Sequence, residues 1–249
     1  MSKHYHFIGI GGIGMAGLAA LVLEQGHKVS GSDIKDNELM AKLRAKGATV
    51  YVGHARNQLA SPDFVVISSA IRFDNEEYLA AKQRKIPVLK RAKLLAQLME
   101  KATGITIAGA HGKTTTSSMI THVLNFAGLD PTSAVGGIVH GMESNCKMGK
   151  GRYFVTEVDE SDGSFLLFDP KYSVITNVDK EHLDYYGSFE AVKKAFEDFI
   201  ESTEPGGSLV ICAEDPVLME LAPRHDVPYY TYGFSPIIEK MKSVCAAGR

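Results

Sequence analysis

The stretch from Ile107 to Thr116, Ile-Ala-Gly-Ala-His-Gly-Lys-Thr-Thr-Thr, concentrates the residue types that handle a polyphosphate. An apolar run at 105–108 enters a small-residue turn, and Lys113-Thr114 then opens a helical pattern. Glycines let backbone N–H groups face phosphate oxygens, and the helix N-terminus adds positive potential. A lysine reaches the terminal phosphate, and a hydroxyl ligates Mg²⁺. The usual motif places four residues between its first glycine and the Gly-Lys pair. Here Ile107 stands at that first position, which leaves a shorter loop of Gly109, Ala110, His111, Gly112, Lys113, Thr114 and Thr115 as the nucleotide-binding set. It reads as an ATP site with Mg²⁺ as companion. His111 either helps to orient phosphate or is merely tolerated in the turn.

A second glycine loop lies near the N-terminus. Gly9-Ile-Gly11-Gly12-Ile-Gly14 falls between a strand and a helix, and Asp33 follows at the tip of the next strand. This is a diphosphate-binding fingerprint, in which glycines allow a tight turn and close approach of the backbone to a pyrophosphate. Asp33 suits either a ribose hydroxyl or the cap of its own turn. Ser68 and Ser69, at the end of the fourth strand, belong to the same crevice, because ligands of open α/β sheets sit at strand carboxyl ends.

Two acidic segments accompany the Gly-Lys-Thr loop. Glu157 closes one strand, with Asp159, Glu160 and Asp162 beyond it, and Asn177 closes another, followed by Asp179-Lys-Glu-His182-Leu-Asp184. If these strands run parallel to 105–108, all three loops open at one sheet edge. Thr114, Glu157 and His182 are then the candidate metal ligands, and Lys113, Glu157 and His182 the candidate catalytic residues. Mg²⁺ prefers oxygen, so a histidine ligand is unusual. The bland alternatives are a solvated acidic loop and a structural histidine.

The elements that must hold these residues alternate. Apolar runs at His6–Ile10, Lys28–Gly31, Thr49–Val52, Phe64–Ile67 and Val88–Leu89 predict strands, with helical spacing at Ile13–Glu24, Glu38–Ala45, Glu76–Arg84 and Ala92–Glu100. Strand 105–108 and helix 114–127 begin a second unit with strands at Arg152–Thr156, Tyr172–Thr176 and Ser208–Cys212 and a helix at Phe189–Ile200. Asp215-Pro216 predicts a helix cap. The fold class is α/β: a Rossmann-like parallel-sheet domain over 1–102, then an incomplete P-loop-type domain over 103–234 and an atypical tail over 235–249.

Composition narrows the function. With 249 residues, 22% charged and a formal net charge of −2, the chain has no electrostatic bias toward nucleic acid or an anionic membrane. Its apolar runs are strand-sized, and the N-terminus lacks the features of a signal peptide. Cys146, Cys212 and Cys245 have no metal-ligand spacing, which suits reduced thiols in a cytoplasm.

Taken in order, Phe7–Met15, Ser30–Asp33, Ser68–Ile71, Gly109–Thr115, Glu157–Asp162 and Asn177–Asp184 resemble the Mur ligases, in particular their alanine-adding branch, from about Tyr5 to Phe234. The resemblance implies a peptidoglycan-precursor ligase using ATP and Mg²⁺. In it the lactyl carboxylate of UDP-N-acetylmuramic acid attacks the γ-phosphate, and L-alanine displaces phosphate from the resulting acyl phosphate. It further implies that Gly9, Gly11, Gly12, Gly14 and Met15, with Asp33, Ser68 and Ser69, hold the sugar nucleotide. Lys113 steadies the phosphates, and Thr114, Glu157 and His182 hold metal. Some relatives carry a carbamylated lysine, and Lys193 and Lys194 lie in the corresponding region. The family's third domain and its adenine-contacting His-Asn segment are missing from this sequence, which implies a truncated form of uncertain activity. Two other readings stand beside it: an NAD-linked oxidoreductase, resting on the first loop with Asp33, and a non-catalytic nucleotide-binding module. Oligomeric state is not legible.

Overall fold

The computed structural model describes residues 1–137 and 145–234, so the atypical tail lies outside the described residues. Among the described residues two compact units emerge, one of 1–98 with 130–137 and 145–151, the other of 99–129 with 152–234. The segment 130–151, read from sequence as part of the ATP-binding domain, therefore clusters with the first unit.

The first unit alternates strands β1 (His4–Ile8), β2 (Lys28–Asp33), β3 (Thr49–Val52), β4 (Phe64–Ile67) and β5 (Val88–Lys90) with helices α1 (Ile13–Glu24), α2 (Glu38–Ala45), α3 (Glu76–Gln83) and α4 (Arg91–Met99). These five strands pair in parallel throughout, in the order β3-β2-β1-β4-β5. That order reverses direction between β1 and β4, which creates the crevice where such sheets bind ligands. β1 spans His4–Ile8 instead of the expected His6–Ile10, because Gly9 turns the chain at φ 85°. Asn37 and Asn75 cap α2 and α3 by accepting backbone N–H groups, which satisfies donors that helix starts leave unpaired.

A polar knot lies inside this unit. Glu77 and His6 are fully buried, with His6 Nε2 3.2 Å from Glu77 Oε1. His54 Nδ1 stands 3.1 Å from the other oxygen, which also accepts the Ser32 hydroxyl. Burial alone pushes the Glu77 carboxyl up, but hydrogen bonds from His6 and Ser32 and the charges of His6 and His54 hold it below the usual range. Buried charge is tolerated where it is paired in this way. The knot reaches the glycine loop through Ser32, whose carbonyl accepts the Gly9 and Ile10 N–H groups at 2.8 and 3.0 Å.

The second unit contains β6 (Thr103–Ala108) and α5 (Lys113–Phe126). A short antiparallel pair, β7 (Thr132–Ala134) with β8 (Cys146–Lys147), follows in sequence and belongs to the first unit. The second unit then continues through β9 (Tyr153–Glu157), β10 (Tyr172–Ile175), α6 (Leu183–Tyr186), α7 (Phe189–Glu201), β11 (Ser208–Cys212), α8 (Pro216–Leu221) and β12 (Tyr229–Tyr232). Its parallel strands run β12-β11-β10-β6-β9, so β6 lies between the two strands that carry the acidic segments. The expected parallel neighbourhood of 105–108, Glu157 and Asn177 is therefore present. Asp215 caps α8 as expected, accepting from Val217 N and Leu218 N, and its other oxygen takes Val178 N at 2.8 Å. β7, β8 and β12 were not legible as strands because they are only three, two and four residues long.

Cys146 is a poor nucleophile, since burial pushes its thiol up to about 12. No helix among the described residues is long and apolar enough to cross a membrane.

Candidate functional site

The first loop is built from the backbone. Gly9 and Ile10 donate to Ser32 O, and Gly12 N donates to Gly9 O at 3.3 Å. Gly11 N donates to Asp33 Oδ2 at 2.8 Å, while Oδ1 of the same carboxylate accepts Ile34 N at 2.7 Å. Both Asp33 oxygens thus accept backbone N–H groups of the turn. A Cβ at Gly11 would meet Asn37 Nδ2 at 2.8 Å and Asp33 Oδ2 at 3.0 Å, and one at Gly9 would meet Ser68 Oγ at 3.2 Å. Small residues are needed at both, and Ser68 faces the loop across the β1–β4 crevice.

Ser69 beside Ser68 is exposed, whereas Met15 is 2% exposed and packs in the core. Any contribution of Met15 to a ligand therefore comes from its backbone N–H in the first turn of α1. That helix starts at Gly12 with no side-chain cap and no acidic residue in its first turn, an arrangement that favours an anion. Gly14 lies against Arg91, 3.5 Å from where its Cβ would be, so a guanidinium stands near the same helix start.

The second loop is gripped by Thr176 and Asn177, the two residues that follow β10. Gly109 takes φ 124°, and a Cβ there would fall 2.2 Å from Thr176 Oγ1 and 2.9 Å from Asn177 O, so no other residue fits. The Asn177 side chain accepts His111 N at 2.9 Å and donates to His111 O at 3.0 Å, and the Thr176 hydroxyl donates to His111 O at 2.6 Å. His111 is thereby fixed through its backbone, and its ring points toward Asp179 and Glu181, at 3.8 and 3.6 Å. Sequence reading missed Thr176 and Asn177 as the clamp, since only strand adjacency brings them under the loop.

α5 begins at Lys113 behind Gly112, which holds φ 84° and offers no side-chain cap. Its first-turn N–H groups are oriented for phosphate. A Cβ at Gly112 would meet only Thr176 Cγ2, at 3.9 Å, so the loop is open on that side. Lys113 Nζ donates to Gly109 O at 2.5 Å and to both oxygens of Glu160, at 2.9 and 3.0 Å. Thr114 Oγ1 donates to Glu157 Oε2 at 3.1 Å, and Ser117 Oγ to Oε1 at 2.9 Å. An oxygen set of this kind suits Mg²⁺. His182, at φ 57°, stands 3.7 Å from Glu160 and 3.9 Å from Glu181. Thr114 and Glu157 are thus brought together, and His182 approaches through Glu160. Among the described residues no cluster of three or more His, Cys, Asp or Glu forms a metal cage.

The acidic segment is not a solvated loop at Glu160, whose side chain is 5% exposed. Phe165 anchors it: fully buried, it lies 5.2 Å from the Phe196 ring and 5.0 Å from Phe199 on α7, and its N–H bonds Asp159 O. Lys194 pairs with Asp198 and Glu197, each at 3.0 Å, and the hydrogen bonds it donates to both raise its pKa. Lys193 lies over the Phe189 ring at 5.1 Å. Carbamylation needs the neutral amine, so the raised pKa of Lys194 makes that residue a poor candidate for it.

Comparison with known proteins follows the same division. The catalytic-domain model of the Mur ligase family matches residues 4–103, and the Mur ligase middle-domain model matches residues 107–244, continuing past Phe234. A UDP-N-acetylmuramate–L-alanine ligase of Aquifex aeolicus is 49% identical over 97% of this chain and 54% of its own length. The crystal structure of such a ligase from Thermotoga maritima aligns with a TM-score of 0.80 at 34% identity, covering 93% of this chain and 53% of the other. That of a UDP-N-acetylmuramate:L-alanyl-γ-D-glutamyl-meso-diaminopimelate ligase from Neisseria meningitides aligns at 0.85 with 28% identity, covering 94% and 79%. The chain spans about half the length of the curated relatives it matches. The NAD-linked reading finds no support in these comparisons.

Proposed function

Because this chain belongs to the Mur ligase family, we propose that it carries the sugar-nucleotide and ATP-binding parts of a cytoplasmic UDP-N-acetylmuramate–L-alanine ligase. Identity of 34% to the alanine-adding structure against 28% to the tripeptide-adding one, with 49% to a curated alanine-adding relative, favours the single amino acid. In the proposed reaction the lactyl carboxylate of UDP-N-acetylmuramic acid attacks the γ-phosphate of ATP. The amine of L-alanine then displaces phosphate from the acyl phosphate and forms the amide.

The observation that carries this reading is the convergence at one sheet edge of Lys113, Thr114 and Glu157, with Glu160 and His182 beside them. Thr114 Oγ1 and the Glu157 carboxylate would hold Mg²⁺, which draws charge from the phosphates, and His182 would complete the set. Lys113 stabilises negative charge on the terminal phosphates, and α5 adds its N-terminal potential. Catalysis of this type is alignment and electrostatics rather than covalent participation by the protein. In the first unit, the first turn of α1 would receive the UDP pyrophosphate, with Ser68 at its side.

Calorimetric titration tests the two loops separately. UDP-N-acetylmuramic acid and, independently, Mg²⁺ with a non-hydrolysable ATP analogue should each bind with one-to-one stoichiometry. ATP hydrolysis or amide formation dependent on the muramyl nucleotide would extend the reading to turnover by this span. Absence of both binding events would refute it.

A further inference from the structure

Lys113, the residue placed to meet a terminal phosphate, already has partners within this loop. Its ammonium has three N–H donors. They meet Gly109 O at 2.5 Å, Ala110 O at 3.4 Å and the two oxygens of Glu160 at 2.9 and 3.0 Å. The pair is largely withdrawn from water, at 20% and 5% exposure.

Glu160 has little freedom to follow or retreat. Its carbonyl accepts the Tyr186 hydroxyl at 2.5 Å and Gly163 N at 3.1 Å. The carboxylates around it have other work. Asp159 and Asp162 accept Ser161 N and Ser164 N, and Glu157 accepts from Thr114 and Ser117. Glu160 turns both oxygens to the lysine, and His182 stands 3.7 Å from it.

The geometry points to Glu160 as the counter-ion from which a nucleotide's terminal phosphates must draw Lys113, which makes it a positioning residue that holds the lysine folded over its own loop until those phosphates arrive. This rests on the reading of the second loop as an ATP site. An incoming polyanion meets a lysine already neutralised, and a rigid buried carboxylate stays behind facing phosphate. Glu160 therefore lowers affinity for every nucleotide long enough to reach Lys113 and leaves shorter ones unaffected. Structural damage to the site would instead weaken all of them.

The test compares wild type with Glu160→Gln by calorimetry, using AMP, ADP and a non-hydrolysable ATP analogue with Mg²⁺. The expected result is that ADP and the ATP analogue bind the variant about tenfold more tightly, the size of one charge-assisted hydrogen bond exchanged, while AMP is unchanged. Equal or weaker binding of the ATP analogue to a variant that melts cooperatively would overturn the proposal. A second measurement needs no nucleotide. Acetylation of Lys113 by an activated ester, followed by peptide mass spectrometry, should accelerate severalfold in Glu160→Gln, and an unchanged rate would equally count against the contact. If wild type binds no nucleotide at all, the ATP reading fails while the acetylation arm still decides on Glu160. Tyr186→Phe, which frees the Glu160 carbonyl, should shift both readouts in the same direction by less, and serves if Glu160→Gln does not fold.

Discussion

The two glycine loops share a layout and differ in what grips them. The Gly9–Gly14 loop is held by backbone groups and one carboxylate from the adjacent β2, and its ligand would meet a helix start and a serine. The Gly109–Lys113 loop is clamped by the residues that follow β10 and surrounded by charge: Lys113, Glu157, Glu160, His111 and His182. A loop that only retains a diphosphate needs dipoles and close approach, whereas one that promotes phosphoryl transfer needs charges placed where charge develops. Resemblance in the glycine pattern therefore says little about chemistry. The neighbours beyond the strand ends decide it.

The sharpest way to break the contrast is to remove the anchor that serves one loop alone. Phe165→Ala should cost about 3–5 kcal/mol, as expected for a buried aromatic, and should release the segment carrying Glu160. A thermal melt would show it, with binding of the muramyl nucleotide at the first loop retained. Gly109→Ala should cost about 3 kcal/mol, because its φ and the contact with Thr176 and Asn177 combine strain with overlap. Lys113→Ala should weaken the ATP analogue about 100-fold, the loss of charge-assisted bonds to phosphate, and leave UDP-N-acetylmuramic acid binding intact. A comparable loss at both loops would erase the distinction.

Acid should sharpen it next. His4 titrates below its usual 6.5, chiefly because it is buried and then because His6 is near. The unfolded chain therefore takes up a proton near pH 6.5 that the fold resists, and stability declines as pH falls below that value. Glu77, depressed below 4.5, contributes stability above pH 4.5 that is lost as pH falls through its folded value. Both groups lie in the first unit, so acid melts should begin there, as tryptic cleavage sites sampled against pH would reveal. The smallest effect is expected at Gly12. A Cβ there meets only Gly9 O at 3.6 Å and Met15 Cγ at 4.0 Å, so Gly12→Ala should change stability by no more than about 1 kcal/mol. It should nonetheless weaken the muramyl nucleotide by filling the space its pyrophosphate needs.

Much of this was legible beforehand. Alternating periodicities specify a parallel α/β chain, both glycine loops fall between strand and helix, and Asp215-Pro216 marks a helix start, because each depends on residues within a turn or two. Other outcomes required the fold. That Asp33 holds Gly11 N could not be read from spacing, and Met15 carried no sign of being core. Nothing local separates Glu160 from Asp159 or Asp162, and nothing local links Gly109 to Thr176 across the sheet. The sequence by itself determined which segments could bind phosphate, since that is a matter of local backbone freedom and helix starts. Tertiary structure decided which carboxylate meets Lys113 and which strand clamps its loop, because both follow from strand order and from contacts between residues tens of positions apart.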